Sequence, residues 1–183
     1  MNSRSVFAST TPPDILEFFE SWEDLPMNGL VPSLSNYLDN AKPHLQPNVT
    51  IVDVLSQTHM VVRLFGTRLE SVSGLAPTAN DLMLLYSPDA RTLARTIVWE
   101  TVTRPVGYVC TRKVRTKSGL LLDCPAIGLP IAVDDSAMKC FITYSSVGNA
   151  QQALEARDSI IMVEDIIFEH WVDIGAGEPE GRP

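Results

Sequence analysis

Two β-type runs separated by a short polar segment constrain the fold of this chain more than any other feature of its sequence. Val49 to Leu55 and Met60 to Phe65 are rich in Val, Ile and Leu, and they flank the polar residues 56–59. This pattern predicts an antiparallel hairpin with a four-residue loop. The hairpin anchors the fold, but it contains no side chain that performs chemistry.

A short helix is predicted directly after the hairpin. Thr67 precedes Glu70 by three residues. This is the spacing of a capping box, in which the threonine oxygen accepts from a first-turn amide and the glutamate reaches back to the amide of Thr67. Gly74 then supplies the left-handed residue that ends such a helix.

The segment Thr11-Pro12-Pro13-Asp14 predicts an earlier helix, because it combines an N-cap, a proline at the first helical position and a first-turn acid. An apolar stripe follows at helical spacing, made of Ile15, Phe18, Phe19 and Trp22. Either the chain's own domain or the same helix of a second copy is expected to cover this stripe, and the sequence favours neither. In the second case these four residues form a dimer or partner surface.

Three further helical segments are predicted, one before the hairpin and two between the hairpin and the later strands. A short helix is expected from about Ser33 to Asn40, and one or two helical turns between Leu75 and Tyr86. Ser87-Pro88-Asp89 then repeats the N-cap, proline and acid pattern and opens a longer amphipathic helix. Arg104-Pro105 ends that helix.

A three-stranded meander follows, over Val106 to Val114, Leu120 to Leu129 and Met138 to Ser145. In the first strand, Val106, Tyr108, Cys110 and Val114 share one side. Pro125 has no backbone donor, so a bulge or an unpaired edge is expected there. Residues 150–157 are expected to be helical, whereas residues 160–172 fit a helix or a strand, with a strand favoured over 166–172. Residues 1–10 and the Gly-rich end are expected to be flexible.

The net charge of −8 disfavours nucleic acid and anionic lipid as partners, since both attract a positive surface. A basic cluster of Arg112, Lys113, Arg115 and Lys117 is expected on a solvated face beside a hairpin tip. No apolar run approaches the ~20 residues of a membrane helix, and the first residues lack an apolar signal core. A cytoplasmic protein without membrane contact is therefore expected.

No residue pattern indicates catalysis or a metal site, so an enzyme is not expected. Asp53 and Asp123 lie within strand-like runs and fit either a cavity or a surface position. A turn centred near Lys117 pairs positions whose numbers sum to about 234, which places Cys110 opposite Cys124. A redox pair is conceivable there, but two buried, reduced thiols are favoured.

The predicted elements follow the order of a PAS domain: two strands, small helices, one longer helix and a three-stranded meander. The chain resembles the alphaproteobacterial PAS-like family of small proteins over residues 14–177. The segments that carry this resemblance, in order, are Trp22, Pro32, Val49 to Leu55, Arg63-Leu64-Phe65-Gly66-Thr67, Gly74, Leu129-Pro130 and Asp173-Ile174-Gly175-Ala176-Gly177.

This resemblance implies an α+β fold with a five-stranded antiparallel sheet, helices on one face of it, and an added N-terminal amphipathic helix. The expected segments are a helical extension over 1–45, a PAS-like core over 46–147 and a C-terminal extension over 148–183 with a flexible tail. The resemblance implies no catalytic residue. Gly66 is expected to let the strand turn sharply, and Thr67 to cap the helix.

PAS domains use a cavity between sheet and helices, and here its expected lining is Trp99, Tyr108, Cys110 and Cys124. The expected ligand is a small, mostly apolar molecule. The long helix contains no histidine, which disfavours haem, and no cysteine lies in an Asn-Cys-Arg helical motif, which disfavours a flavin adduct. The cofactor, if any, is left unidentified.

The expected function is that of a stand-alone sensory or regulatory module with no output domain in the chain. It is expected to form a homodimer and to signal to a separate partner. A ligand-free dimerisation or interaction module, working through the N-terminal helix, is the alternative. A small α+β enzyme acting in the sheet cavity is the third reading.

Overall fold

The computed structural model describes residues 7–75, 77–134, 136–148 and 158–183. The α-helices of this part are α1 (Pro13–Glu23), α2 (Leu34–Asn40), α3 (Thr67–Ser73) and α4 (Pro88–Thr103). The strands are β1 (Met27–Asn28), β2 (Val31–Pro32), β3 (Val49–Ser56), β4 (His59–Phe65), β5 (Gly107–Thr116), β6 (Leu121–Ala132), β7 (Lys139–Ser145) and β8 (Ile160–Val172). Two short 3₁₀ helices span Gln46–Asn48 and Leu82–Leu85. None of the helices described here is long and apolar enough to cross a bilayer.

One antiparallel sheet of six strands has the order β4-β3-β7-β6-β5-β8. The predicted hairpin is confirmed, but pairing continues to Ser56 and His59, so its turn holds two residues rather than four. The predicted meander is β5, β6 and β7. Pro125 pairs with Thr111 of β5 without a bulge, and β7 joins β6 only from Ala126 onward.

β8 resolves the ambiguous segment 160–172 as a strand, and it adds a sixth strand to the five that were predicted. It pairs with β5 from Gly107 to Thr116, with three shifts of register along its length. Its many Ile and Val residues suit a half-buried strand. The helix predicted over 150–157 lies outside the described residues, as do residues 1–6.

Each face of the sheet packs against a different set of helices. α4 and the 3₁₀ helix before it cover the face that presents Val52, Tyr108 and Phe141. α1 and α2 cover the other face, which presents residues such as Ile51 and Ile127. Helices therefore lie on both faces, because β3, β6 and β7 send apolar side chains to both sides.

The apolar stripe of α1 packs onto the chain's own sheet. Its four members, Ile15, Phe18, Phe19 and Trp22, are all buried, with no more than 4% of their surface exposed. The Phe18 ring stacks on Tyr144 with centroids 5.1 Å apart, and the Trp22 indole N–H donates to the carbonyl of Pro130 at 3.2 Å. The stripe is therefore used within one chain, and it offers no accessible dimer or partner surface.

The sequence predicted the ends of some helices correctly and of others wrongly. Ser87 is an N-cap whose side-chain oxygen accepts from a backbone amide, and Gly74 ends α3 at φ 63°, both as predicted. Ser33, near which a helix was expected to start, caps α2 in the same way. The predicted capping box is wrong, because Gly66 is the N-cap of α3 and no side chain caps that end. The N-cap of α1 is Pro12 rather than the predicted Thr11, again without a side-chain cap.

Gly66 allows a close approach of two backbone segments rather than a sharp turn. Its φ of −64° and ψ of 145° suit any residue. However, a Cβ at this position would lie 2.3 Å from the carbonyl oxygen of Pro47. The Gly66 amide also donates to the carbonyl of Val49 at 2.8 Å, so the end of β4 lies directly against the 3₁₀ segment before β3.

Substituting Gly66 by alanine should lower the free energy of unfolding by about 1–3 kcal/mol, because backbone has to move to admit the methyl group. Gly148→Ala is the matched control, since a Cβ there meets no atom within 4 Å. Urea denaturation of the two variants measures the difference. Equal stabilities would contradict the close approach at Gly66.

Substituting Phe18 by alanine should lower the free energy of unfolding by about 3–5 kcal/mol, as expected for a buried aromatic side chain. Because α1 packs within one chain, the loss should not depend on protein concentration. Leu38→Ala, on α2, is the control, since Leu38 is 53% exposed. A destabilisation that shrinks on dilution would show instead that α1 packs across two copies.

Candidate ligand-binding cavity

A cavity of about 90 Å³ lies on the α4 side of the sheet. Strands β3, β5, β6 and β7 form its floor. Its other walls come from α3, the 3₁₀ helix Leu82–Leu85 and the first residues of β8. Most of the lining is apolar, with side chains such as Leu69, Val72, Phe141 and Val163.

The alternation of side chains along β5 determines which of its residues reach this face. Tyr108, Cys110 and Val114 pack into the cores on the α4 side of the sheet. Arg112 is also an even-numbered residue of β5, so its side chain points to the same side. Cys124 lies opposite Arg112 on β6. The floor of the cavity is thus polar at one point within an apolar surround.

Arg112 is the one charged side chain among the described residues that line the cavity. Its half-buried guanidinium group donates to the Ser145 hydroxyl at 2.9 Å and to the Thr143 hydroxyl at 3.0 Å. The prediction that Arg112 shares a solvated face with its basic neighbours is therefore wrong. Lys113 and Arg115 do point to the other side, where they form ion pairs with acidic residues.

The groups around the Arg112 guanidinium are neutral at neutral pH. Burial raises the pKa of Cys110 to about 11 and that of Cys124 to about 11, although the positive charge of Arg112 opposes the rise. Burial likewise raises the pKa of Tyr86 and of Tyr108. The cation therefore sits among hydroxyl and thiol groups that carry no compensating charge.

The four residues predicted to bind a ligand occupy three different places. Cys124 lines the cavity. Tyr108 and Cys110 line a smaller adjoining void of about 10 Å³, which has room for about one water molecule. Trp99, on α4, lines neither space and packs half-buried against the core.

Two residues missed by the sequence reasoning connect these spaces. Tyr86 and Arg112 line both the cavity and the smaller void. Arg112 lies two residues after Cys110 and four after Tyr108 on the same strand. This spacing could have predicted that its side chain points into the protein. No comparable local signal marks Tyr86, whose position depends on a bridge to Val163 of β8.

The cysteines form no disulfide, and the predicted register between them is wrong by two residues. Cys110 lies opposite Ala126, and Cys124 lies opposite Arg112, because paired positions sum to 236 rather than 234. Cys110, Cys124 and Cys140 are all free and buried. Two buried, reduced thiols, the favoured reading, match this arrangement.

The described part of the chain brings no acid–base pair into the cavity. Asp53 pairs with Arg63 and Asp123 pairs with Lys113, and neither acid is among the residues that line the cavity. No histidine or carboxylate is among the described lining residues. Across the same described ranges, no three metal-ligating side chains converge.

No family model and no curated protein sequence matches this chain. A PAS domain from Colwellia psychrerythraea is similar at 13% identity and a TM-score of 0.43, over 54% of this chain and 82% of that one. An RNA-binding light-oxygen-voltage receptor is similar at 15% identity and a TM-score of 0.47, over 71% of this chain and 37% of that one. The light state of the blue-light photoreceptor Aureochrome1 LOV is similar at 14% identity and a TM-score of 0.42, over 68% of this chain and 98% of that one. The chain's own element order, together with its antiparallel sheet, makes its fold PAS-like.

The three thiols should resist alkylation by iodoacetamide in the folded protein at neutral pH. A pKa raised from 9.0 to about 11 lowers the thiolate fraction roughly 100-fold at Cys110 and Cys124, and burial hinders access further. Mass spectrometry of time points should show labelling only after guanidinium chloride is added. Rapid labelling of Cys110 or Cys124 in the native state would reveal a reactive thiol.

Proposed function

We propose that this PAS-like chain is a sensory or regulatory module that binds a small, mostly apolar molecule in the cavity between its sheet and α3. The observation that carries the proposal is the cavity itself, whose described lining is mostly apolar, with a few hydroxyl groups and one cation in its floor. Concave apolar sites with few polar anchors are typical of small-molecule binding. An acid–base pair that would favour an enzyme is absent from the described lining.

The end of β7 gives such a module a route from the cavity to the opposite face of the sheet. Ser145 and Val147 line the cavity, whereas the Ser146 hydroxyl between them donates to the Asp14 carboxylate at 3.0 Å. The Tyr144 hydroxyl donates to the same carboxylate at 3.1 Å. A ligand that displaces the end of β7 therefore alters the contacts that hold the start of α1.

The proposal includes a homodimer, a separate signalling partner and a cytoplasmic location. The stripe of α1 is buried, so the dimer would use another surface. Leu75 and Ile161 are candidates, since they are 40% and 38% exposed at the edge of the cavity. The alternative of a ligand-free module that works through the α1 stripe is disfavoured, because partner binding would require α1 to leave the sheet.

Filling the cavity should abolish binding of small apolar probes. Leu85 lines the cavity and is half-buried, whereas its neighbour Leu84 is 65% exposed and lies outside the lining. Indole and hexan-1-ol should raise the melting temperature of the unmodified protein and of Leu84→Trp. They should not raise that of Leu85→Trp, whose indole occupies the space.

Thermal shift and native mass spectrometry measure this binding directly. Equal responses of the two tryptophan variants would show that the probes bind elsewhere. If neither probe binds the unmodified protein and no small molecule co-purifies with it, the ligand-binding function is wrong.

A further inference from the structure

We infer that the ligand of this cavity is a small apolar carboxylate whose carboxylate group binds the guanidinium of Arg112. This inference rests on the proposed function and adds the chemical class of the ligand. Its starting point is the contrast between one cation and a lining that is otherwise uncharged among the described residues.

Arg112 carries a full positive charge that no described residue around it balances. A guanidinium group stays protonated in proteins, and it has five N–H donors. It donates to two neutral hydroxyls, those of Thr143 and Ser145, and it also interacts with the neutral side chains of Tyr108 and Cys110. None of the ion pairs between described residues includes Arg112, although Arg63 and Arg115 each have a carboxylate partner.

Arg112 is half-buried, and neutral hydrogen bonds do not replace the part of its hydration that this burial removes, so the site is favourable for an anion. Two hydroxyl contacts also hold the guanidinium against the floor of the cavity, which fixes its orientation before a ligand arrives. Arginine binds a carboxylate through two parallel N–H bonds, which are stronger than neutral hydrogen bonds. The Tyr86 side chain lies beside the same point, because it lines both spaces with Arg112.

The size and charge of the cavity favour a carboxylate over a phosphate. A phosphate monoester carries about −1.5 to −2 charges at neutral pH, which one arginine does not balance. A cavity of about 90 Å³ has room for roughly six to nine water-sized atoms at about 10–15 Å³ each. A short aliphatic chain or a single ring with one carboxylate group matches both limits.

Isothermal titration calorimetry with hexanoate, hexan-1-ol and hexyl phosphate tests the inference on the unmodified protein. Hexanoate should bind about tenfold or more tightly than hexan-1-ol, since it adds charge-assisted hydrogen bonds to the same apolar contacts. Hexyl phosphate should bind more weakly than hexanoate. Arg112→Met should remove the preference for hexanoate over the alcohol, and Arg112→Lys should retain part of it.

Arg115→Met is the matched control, because Arg115 lies on the same strand but pairs with Glu164 instead of lining the cavity. It should retain the full preference for hexanoate. If Arg112→Met does not fold, the comparison of the three compounds on the unmodified protein still decides the question.

Equal affinities of hexanoate and hexan-1-ol for the unmodified protein would overturn the carboxylate inference and leave the apolar ligand-binding function intact. Tighter binding of hexyl phosphate would also overturn it, because the anion would then be of another class. If none of the three compounds binds, the inference fails, and the proposed function fails with it if indole does not bind and no small molecule co-purifies. A preference for hexanoate that survives in Arg112→Met would show that another group binds the anion.

Discussion

The alternation of side chains along β5 is the constraint on which both the packing and the cavity depend. Near its start, Val109 enters the core under α1 and Tyr108 enters the core under α4, so side chains fill both sides of the sheet. Further along, Lys113 turns to solvent while Arg112 and Val114 face the cavity. The cavity therefore lies where the strand changes from two packed faces to one.

The charge of Arg112 limits what this cavity does chemically. A fixed cation beside thiols and phenols usually lowers their pKa, but here burial dominates and the pKa values of Cys110, Cys124 and Tyr108 all rise. No nucleophile is activated as a result. In the proposed function the arginine, held in place by Thr143 and Ser145, is a recognition group and not part of a catalytic pair.

Local signals predicted the elements of this fold well, whereas features that depend on distant segments were predicted poorly. The hairpin, the N-cap of α4 and the stop at Gly74 each follow from a few neighbouring residues. The strand β8 and the register of β5 with β6 depend on pairing between distant residues. Arg112 was misplaced because a run of basic residues indicated a surface, although its parity with Tyr108 and Cys110 indicated the interior.

Pro125 explains why the end of β7 connects the two faces of the sheet. The ladder between β6 and β7 stops at Ala126 and Ser145, since a proline has no N–H to continue it. The Ser146 amide instead donates to the Pro125 carbonyl at 2.8 Å, and its hydroxyl turns to Asp14 on α1. Ser145 and Ser146 are adjacent but face opposite sides of the sheet. Ser145 accepts a hydrogen bond from Arg112, and Ser146 donates one to Asp14 of α1. Ser145 and Ser146 share one peptide unit. A movement of Arg112 that displaces Ser145 therefore also acts on the hydrogen bond between Ser146 and Asp14 of α1.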